Sequence, residues 1–115
     1  PETKLQRQIM IALSEGGHMV WRNETGTFWA GRALHKAGDQ VTLGAARPIP
    51  CGLCVGSSDL IGITSTGLFF AIEVKTKTGR PTKEQLHFIG AVQRQGGLAG
   101  IARSTDDAIR IINEG

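Results

Sequence analysis

The stretch that decides the fold is Ser57–Lys75, SSDLIGITSTGLFFAIEVK. Apolar, β-branched and aromatic residues dominate both halves, which predicts two β-strands. Ser65–Gly67 separates the halves with residues typical of turns. A three-residue hairpin loop commonly ends in a left-handed residue, and Gly67 adopts that conformation without a steric penalty. The sequence therefore predicts a hairpin closed at Gly67.

The register of this hairpin brings two carboxylates together. Closing the loop pairs Thr64 with Leu68 and, counting outward, Asp59 with Glu73. Opposed residues have Cβ atoms roughly 4.5–5.5 Å apart, and two carboxylates at that separation repel unless a cation holds them. Lys75 follows Glu73 by two residues and projects from the same face. We expect this patch to bind a metal ion and to carry catalysis.

Length and composition predict one globular domain. The chain has 115 residues, of which 40% are apolar and 20% charged. Neither an apolar run of about 20 residues nor a secretory leader is present, so we expect a cytoplasmic protein without membrane contact. The net charge of +3 and the pI of about 9.3 are compatible with nucleic-acid binding.

Cys51 and Cys54 form a C-x-x-C pattern, which occurs in zinc sites and redox pairs. No second C-x-x-C follows, the histidines are scattered, and the motif does not open a helix after a strand. We expect two reduced thiols in a loop.

The first segment, Pro1–Ser14, predicts a helix, because apolar residues recur at helical spacing at Leu5, Ile9, Ala12 and Leu13. Glu2 and Gln6 lie on the same row and should face inward. Charge at a helix N-terminus also accounts for Glu2, and an ordinary surface amide accounts for Gln6. Two polar groups on one apolar stripe favour a site.

The middle of the chain gives a weaker signal. His18–Asn23 predicts a strand, and Arg22 near its end suits either a phosphate contact or a structural ion pair. Glu24–Val55 is rich in glycine and carries basic residues, Arg32 among them. Phe28-Trp29 suits stacking on nucleic acid, or anchoring a loop or subunit interface. We expect a hairpin or short helix that serves oligomerisation or DNA contact.

A basic turn, Thr76–Pro81, follows the central hairpin. Lys77, Arg80 and Lys83 cluster there within a few residues of Lys75. The cluster suits a solvated loop or, beside the expected site, phosphate contact.

Thr82–Gln95 predicts the clearest helix. Thr82 and Gln85 match a capping box, which by itself explains the glutamine. Gln85 also points along the apolar row of Phe88, Ile89 and Val92, toward the sheet. Both interpretations stay open.

The C-terminal segment predicts a buried strand at Leu98–Ala102 and a helix at Asp106–Asn113, capped by Ser104 or Thr105. Its inward residues should be Ala108, Ile109 and Ile112. The order α-β-loop-β-β-α-β-α predicts an α/β layered domain with a mixed central sheet flanked by helices.

These motifs form an ordered set: Glu2-x-x-x-Gln6, Arg22-Asn23, Gly56-Ser57-Ser58-Asp59, Glu73-Val74-Lys75, Gly79-Arg80 and Gln85. The set resembles the VRR-NUC (virus-type replication–repair nuclease) domain of the PD-(D/E)xK nuclease superfamily, in its small stand-alone phage or bacterial form. The resemblance implies a restriction-endonuclease-like core over residues 1–115, with a loop-rich insertion at 24–55. Ser58 stands where family members often carry proline.

The resemblance also implies the site. Asp59 and Glu73 would bind Mg²⁺ or Mn²⁺ together with the carbonyl of Val74, with support from Glu2. Lys75 would be the catalytic lysine, and Gln85 would orient water or substrate.

The implied substrate is branched DNA in a bacterial or phage-infected cell, with four-way (Holliday) junctions cut by a homodimer. Residues assigned to DNA contact are Gln6, Arg22, Arg32, Lys77, Arg80 and Lys83. The alternatives are a nuclease acting on flaps, nicked duplex or RNA, and a non-catalytic DNA-binding module.

Overall fold

A computed structural model describes residues 1–24, 26–37, 40–51 and 53–114, with the backbone alone for 26–37 and 40–51. The elements are, in chain order, α1 (Glu2–Glu15), β1 (Met19–Arg22), β2 (Gly26–Ala37), β3 (Gln40–Cys51), β4 (Leu60–Ile63), β5 (Phe69–Val74), α2 (Lys83–Arg94), β6 (Leu98–Ala102) and α3 (Thr105–Asn113). No helix in these ranges has the length and apolar character needed to cross a bilayer.

Four strands form a mixed sheet in the order β1-β4-β5-β6. β4 is antiparallel to both β1 and β5, whereas β6 runs parallel to β5 after the crossover through α2. This is the predicted mixed α/β architecture, and it is compatible with a restriction-endonuclease-like core.

The segment expected to be loop-rich contains two long strands instead. β2 and β3 pair antiparallel from Gly26 opposite Cys51 to Ala37 opposite Gln40, as a two-stranded sheet of their own. Of the hairpin and short helix left open by the sequence, the hairpin is correct. Pro48 and Pro50 weaken the strand signal, yet proline is tolerated in edge strands, and both strands of a two-stranded sheet are edges.

The central hairpin has the predicted register. β4 and β5 pair from Ile63 opposite Phe69 to Leu60 opposite Ile72, and the same count sets Asp59 across from Glu73. Gly67 closes the turn at φ +93°, in the left-handed region. Its N–H donates to the Thr64 carbonyl at 2.9 Å, and the Thr64 N–H donates to the Leu68 carbonyl at 2.8 Å.

Alternate residues of these strands build a core on each face of the sheet. Leu60, Phe70, Ile72 and Val74 pack with Ile9 and Leu13 of α1 and with Ala108 and Ile112 of α3. Ile61 and Ala71, on the opposite face, pack with Ile89 of α2 and Ala99 of β6. The sheet is thus held between α1 and α3 on one side and α2 on the other.

One residue predicted to face inward does not. Ile109 is 39% exposed, whereas Ile111 packs against the core. Positions 108, 111 and 112 follow the i, i+3, i+4 row of one helix face, and position 109 lies about 100° around the helix from 108.

Candidate active site

Asp59 is fixed by backbone groups of the two flanking strands. Its Oδ2 accepts a hydrogen bond from the Val74 N–H at 2.9 Å. Its carbonyl oxygen accepts from the Asn23 N–H at 2.8 Å, just after β1. The carboxylate therefore stands at the end of the strand pair, where β4 begins and β5 ends.

Glu73 is the buried member of the acid pair, with 2% of its surface exposed. Its Oε1 accepts from Gln85 Nε2 at 3.1 Å and lies 3.8 Å from Lys75 Nζ. Its Oε2 is buried without a hydrogen-bond partner among the described residues. A buried carboxylate oxygen left without a partner is costly, so this atom has free capacity for a ligand.

The surroundings raise the pKa of Glu73 from 4.5 to about 8. Burial is the largest cause, followed by the hydrogen bond that Glu73 can give to Asp59 only when it is protonated, and by the negative charge of Asp59. The Lys75 ammonium opposes these effects, and the carboxylate of Glu2 adds to them. Without a cation, the acid pair therefore retains a proton near neutral pH.

The donor set fits a hard divalent cation. Within the described ranges, no three His, Cys, Asp or Glu side chains are grouped closely enough to hold a metal ion. Mg²⁺ usually binds through one or two carboxylates and completes its shell with water and substrate phosphate. Asp59 and Glu73 supply two carboxylates, and the unpartnered Oε2 belongs to one of them. Zinc, by contrast, favours nitrogen and sulfur ligands.

Gln85 makes both kinds of contact that the sequence allowed, one in the helix cap and one with the acid pair. Its N–H donates to Thr82 Oγ1 at 3.1 Å and its Oε1 accepts from the Thr82 N–H at 2.8 Å, which completes the capping box. The remaining donor group, Nε2, is directed to Glu73. The first turn of α2 thereby contributes directly to the acid pair.

A cleft of about 380 Å³ opens on the side of Asp59 that faces α1 and β1. It is lined by Thr3, Gln6, Arg22, Asn23, Glu24 and Asp59. The structure therefore places Gln6 and Arg22 beside Asp59. Glu2, in the same turn of α1, is close enough for its charge to raise the pKa of Glu73.

The basic residues after Lys75 do not all come together. Lys77 and Arg80 line one cleft of about 760 Å³. Lys83 lines a different groove, beside Cys54, because α2 turns it away from the loop. The expected cluster is therefore Lys77 and Arg80 without Lys83. The side chain of Arg32 lies outside the described residues, although its backbone belongs to β2.

The C-x-x-C segment is only partly described. Cys54 is a free, exposed thiol. Cys51 ends β3, and its side chain lies outside the described residues.

Two residues without an assigned role hold the site in place. Asn23, 9% exposed, donates from Nδ2 to Ser57 Oγ at 2.8 Å and to the Ser58 carbonyl at 3.0 Å, while its Oδ1 accepts from the Leu53 N–H at 3.2 Å. It fastens the chain just before Asp59 to the end of β1. Arg103, the other residue, bonds to the loop after Lys75.

The mixed α/β sheet is compatible with a restriction-endonuclease-like core, and Asp59, the buried Glu73 and Lys75 lie together at adjoining strand ends. Residues 50–106 match the family model described as the VRR-NUC domain. The match confirms the resemblance to the VRR-NUC domain, a nuclease domain, over residues 50–106. Comparison with curated proteins finds no match.

The matched segment covers β4, β5, α2 and β6, and with them Asp59, Glu73, Lys75 and Gln85. A VRR-NUC domain implies nuclease activity with DNA as a substrate, and nucleases with this domain are generally dependent on divalent metal ions.

Proposed function

We propose that this protein is a Mg²⁺- or Mn²⁺-dependent DNA endonuclease whose active site is built on Asp59 and Glu73. The observation that carries the proposal is the unpartnered, buried Oε2 of Glu73 beside Asp59 and Lys75. With both acids ionised, this arrangement costs free energy that a bound cation would offset.

Each residue then has a definable task. Asp59, Glu73 and the Val74 carbonyl hold the cation, which when bound polarises the scissile phosphate and activates water. The ammonium of Lys75 stabilises the charge that develops on the phosphate. Gln85 holds Glu73 in place through Oε1, so that Oε2 stays free for the cation. Glu2 adds negative charge that strengthens cation binding.

The flanking clefts supply a path for one DNA strand. Gln6 and Arg22 contact the strand on the Asp59 side, and Lys77 and Arg80 contact it on the Lys75 side. Guanidinium and ammonium groups on both sides of the cut give affinity without reading base sequence. This suits a nuclease that recognises the shape of its substrate.

The substrate we propose is a four-way junction, cut by a symmetric homodimer. Two-fold symmetry presents two active sites to the two matching strands of a junction. The β2–β3 hairpin supports this assembly: among the described elements, each of its strands makes extensive contacts only with the other. The hairpin is therefore free to contact a second copy of the chain or a DNA arm.

The test is cleavage of a matched panel: a four-way junction, a flap, a nicked duplex, a linear duplex and a structured RNA, each with Mg²⁺, Mn²⁺ or chelator. We expect paired incisions in the junction, metal dependence, and dimers in sedimentation. Asp59→Asn and Glu73→Gln should abolish cleavage, whereas the exposed carboxylates in Asp106→Asn and Glu15→Gln serve as matched controls.

The outcomes separate the alternatives. Preferential cutting of flaps, nicks or RNA would contradict the junction assignment and leave the nuclease site standing. If the protein binds DNA without cutting it, and Glu73→Gln binds DNA equally well, the non-catalytic DNA-binding module is favoured.

A further inference from the structure

Arg103 makes an unusual set of contacts at the end of β6. Its Nη1 lies 2.5 Å from the carbonyl oxygen of Thr76, 2.7 Å from that of Gly79 and 3.3 Å from that of Lys77. One guanidinium therefore satisfies several acceptors of a loop that is separated from it by more than twenty residues. Arginine suits this task because its planar donor fork is fixed in geometry and always charged.

The loop that Arg103 holds adjoins the proposed catalytic lysine. The Gly79 N–H closes the turn on the Thr76 carbonyl at 3.2 Å. The turn rests against the lysine stem, since a Cβ on Gly79 would lie 3.5 Å from Lys75 Cδ. The same loop presents Lys77 and Arg80 to a cleft that Arg103 also lines.

Arg103 is itself held rigidly at its base. Its N–H donates to Asp107 Oδ2 at 2.9 Å, in the first turn of α3. The preceding residue, Ala102, pairs with Val74 and accepts from the Lys75 N–H at 3.1 Å. The backbone at Arg103 is thus held against the end of β5, the strand that carries Glu73.

We propose that Arg103 is a positioning residue: it fixes the Thr76–Arg80 loop so that Lys77 and Arg80 bind the DNA phosphate next to the one cleaved. The inference rests on the proposed function for its role in cleavage, but the loop anchoring is independent of it. Arg103 reaches the loop through Nη1, which carbonyl oxygens occupy, and we assign it an action through the loop rather than on DNA.

The anchoring is tested by limited trypsin digestion of Arg103→Gln, followed by intact mass. Within the loop, trypsin can cut after Lys77, whereas the Arg80–Pro81 bond is resistant. We expect the cut after Lys77 to accelerate about tenfold or more, because loop opening no longer requires breaking these hydrogen bonds. Arg110→Gln is the matched control: it removes the same charge from a surface ion pair with Asp107.

An unchanged rate of cutting in folded Arg103→Gln would overturn the inference. If that variant fails to fold, Arg103→Lys carries the same test, because an ammonium keeps the charge without the fork.

The role in cleavage is tested by steady-state kinetics. Arg103→Gln should raise KM about fivefold to tenfold with kcat changed less than about threefold, and it should add less than about twofold to a Lys77→Ala/Arg80→Ala background. Full additivity would mean that Arg103 contacts DNA itself and would overturn the positioning role. If the wild type cuts no DNA, the proposed function fails, while the trypsin result still decides the anchoring.

Discussion

Gln85 Nε2 donates a hydrogen bond to Glu73 Oε1 at 3.1 Å, while Oε1 of the same amide accepts from the Thr82 N–H at 2.8 Å. These two bonds fix the amide's orientation, because a flipped side chain would place its oxygen against the carboxylate. The helix cap and the acid pair are therefore one continuous hydrogen-bonded unit.

Mutations in this unit can distinguish an effect on stability from an effect on catalysis. Gln85→Ala and Thr82→Ala should each lower the free energy of unfolding by about 0.5–2 kcal/mol, because each breaks the capping box. Only Gln85→Ala also frees Glu73, and it should slow cleavage by about tenfold or more. Urea unfolding and single-turnover cleavage measure the two effects. Equal slowing in both variants would show that Gln85 acts only as a cap.

The stability of the metal-free protein should fall as pH rises. Glu73 has a folded pKa of about 8 against an ordinary value of 4.5, so the folded state binds the extra proton between these values. The favourable contribution is complete below pH 4.5 and is lost as pH rises through about 8. Calorimetry in chelator should therefore show Glu73→Gln gaining stability relative to wild type from pH 5 to 9. A constant difference would contradict the raised pKa.

Lys75→Met keeps an apolar stem and removes the ammonium. Single-turnover cleavage should fall by about 10²–10³, the usual effect of removing one group that stabilises transition-state charge. The pKa of Glu73 should rise further, because the lysine lowers it in the wild type. Wild-type cleavage rates in this variant would remove Lys75 from the active site.

Asn23→Ala should destabilise the fold by about 1–3 kcal/mol, because it leaves buried hydrogen-bond partners at Ser57 and Ser58 unsatisfied. The exposed Asn113→Ala at the end of α3 is the matched control. Urea unfolding measures both variants. If Asn23→Ala lowers the free energy of unfolding by less than about 0.5 kcal/mol, the hydrogen bonds of Asn23 contribute little to stability.

Local patterns predicted much of this structure. A glycine turn with flanking β-branched residues fixed the register of the hairpin, and with it the meeting of Asp59 and Glu73. The capping box at Thr82 likewise follows from residues three apart. Such features depend on residues that are close together in the sequence, and they can therefore be predicted from it.

Long-range contacts were not predictable in this way. Arg103 reaches carbonyl oxygens of Thr76–Gly79, and nothing in the residue types marks that pairing. Asn23 belonged to a recognised motif, but its partners lie 30 or more residues away. Proximity in sequence groups Lys83 with Lys77, whereas helix α2 places Lys83 in another groove. The periodicity of apolar residues predicts which face of a helix or strand is buried. The roles of these residues depend instead on how the helices and strands pack together.

Calorimetric titration of Mn²⁺ into the DNA-free protein at pH 7.5 tests directly whether Asp59 and Glu73 form a metal site. We predict a site that is present in wild type and in Glu15→Gln and is lost in Glu73→Gln, with protons released on binding as the acid pair ionises. Equal Mn²⁺ binding by wild type and Glu73→Gln would show that Glu73 is not a metal ligand.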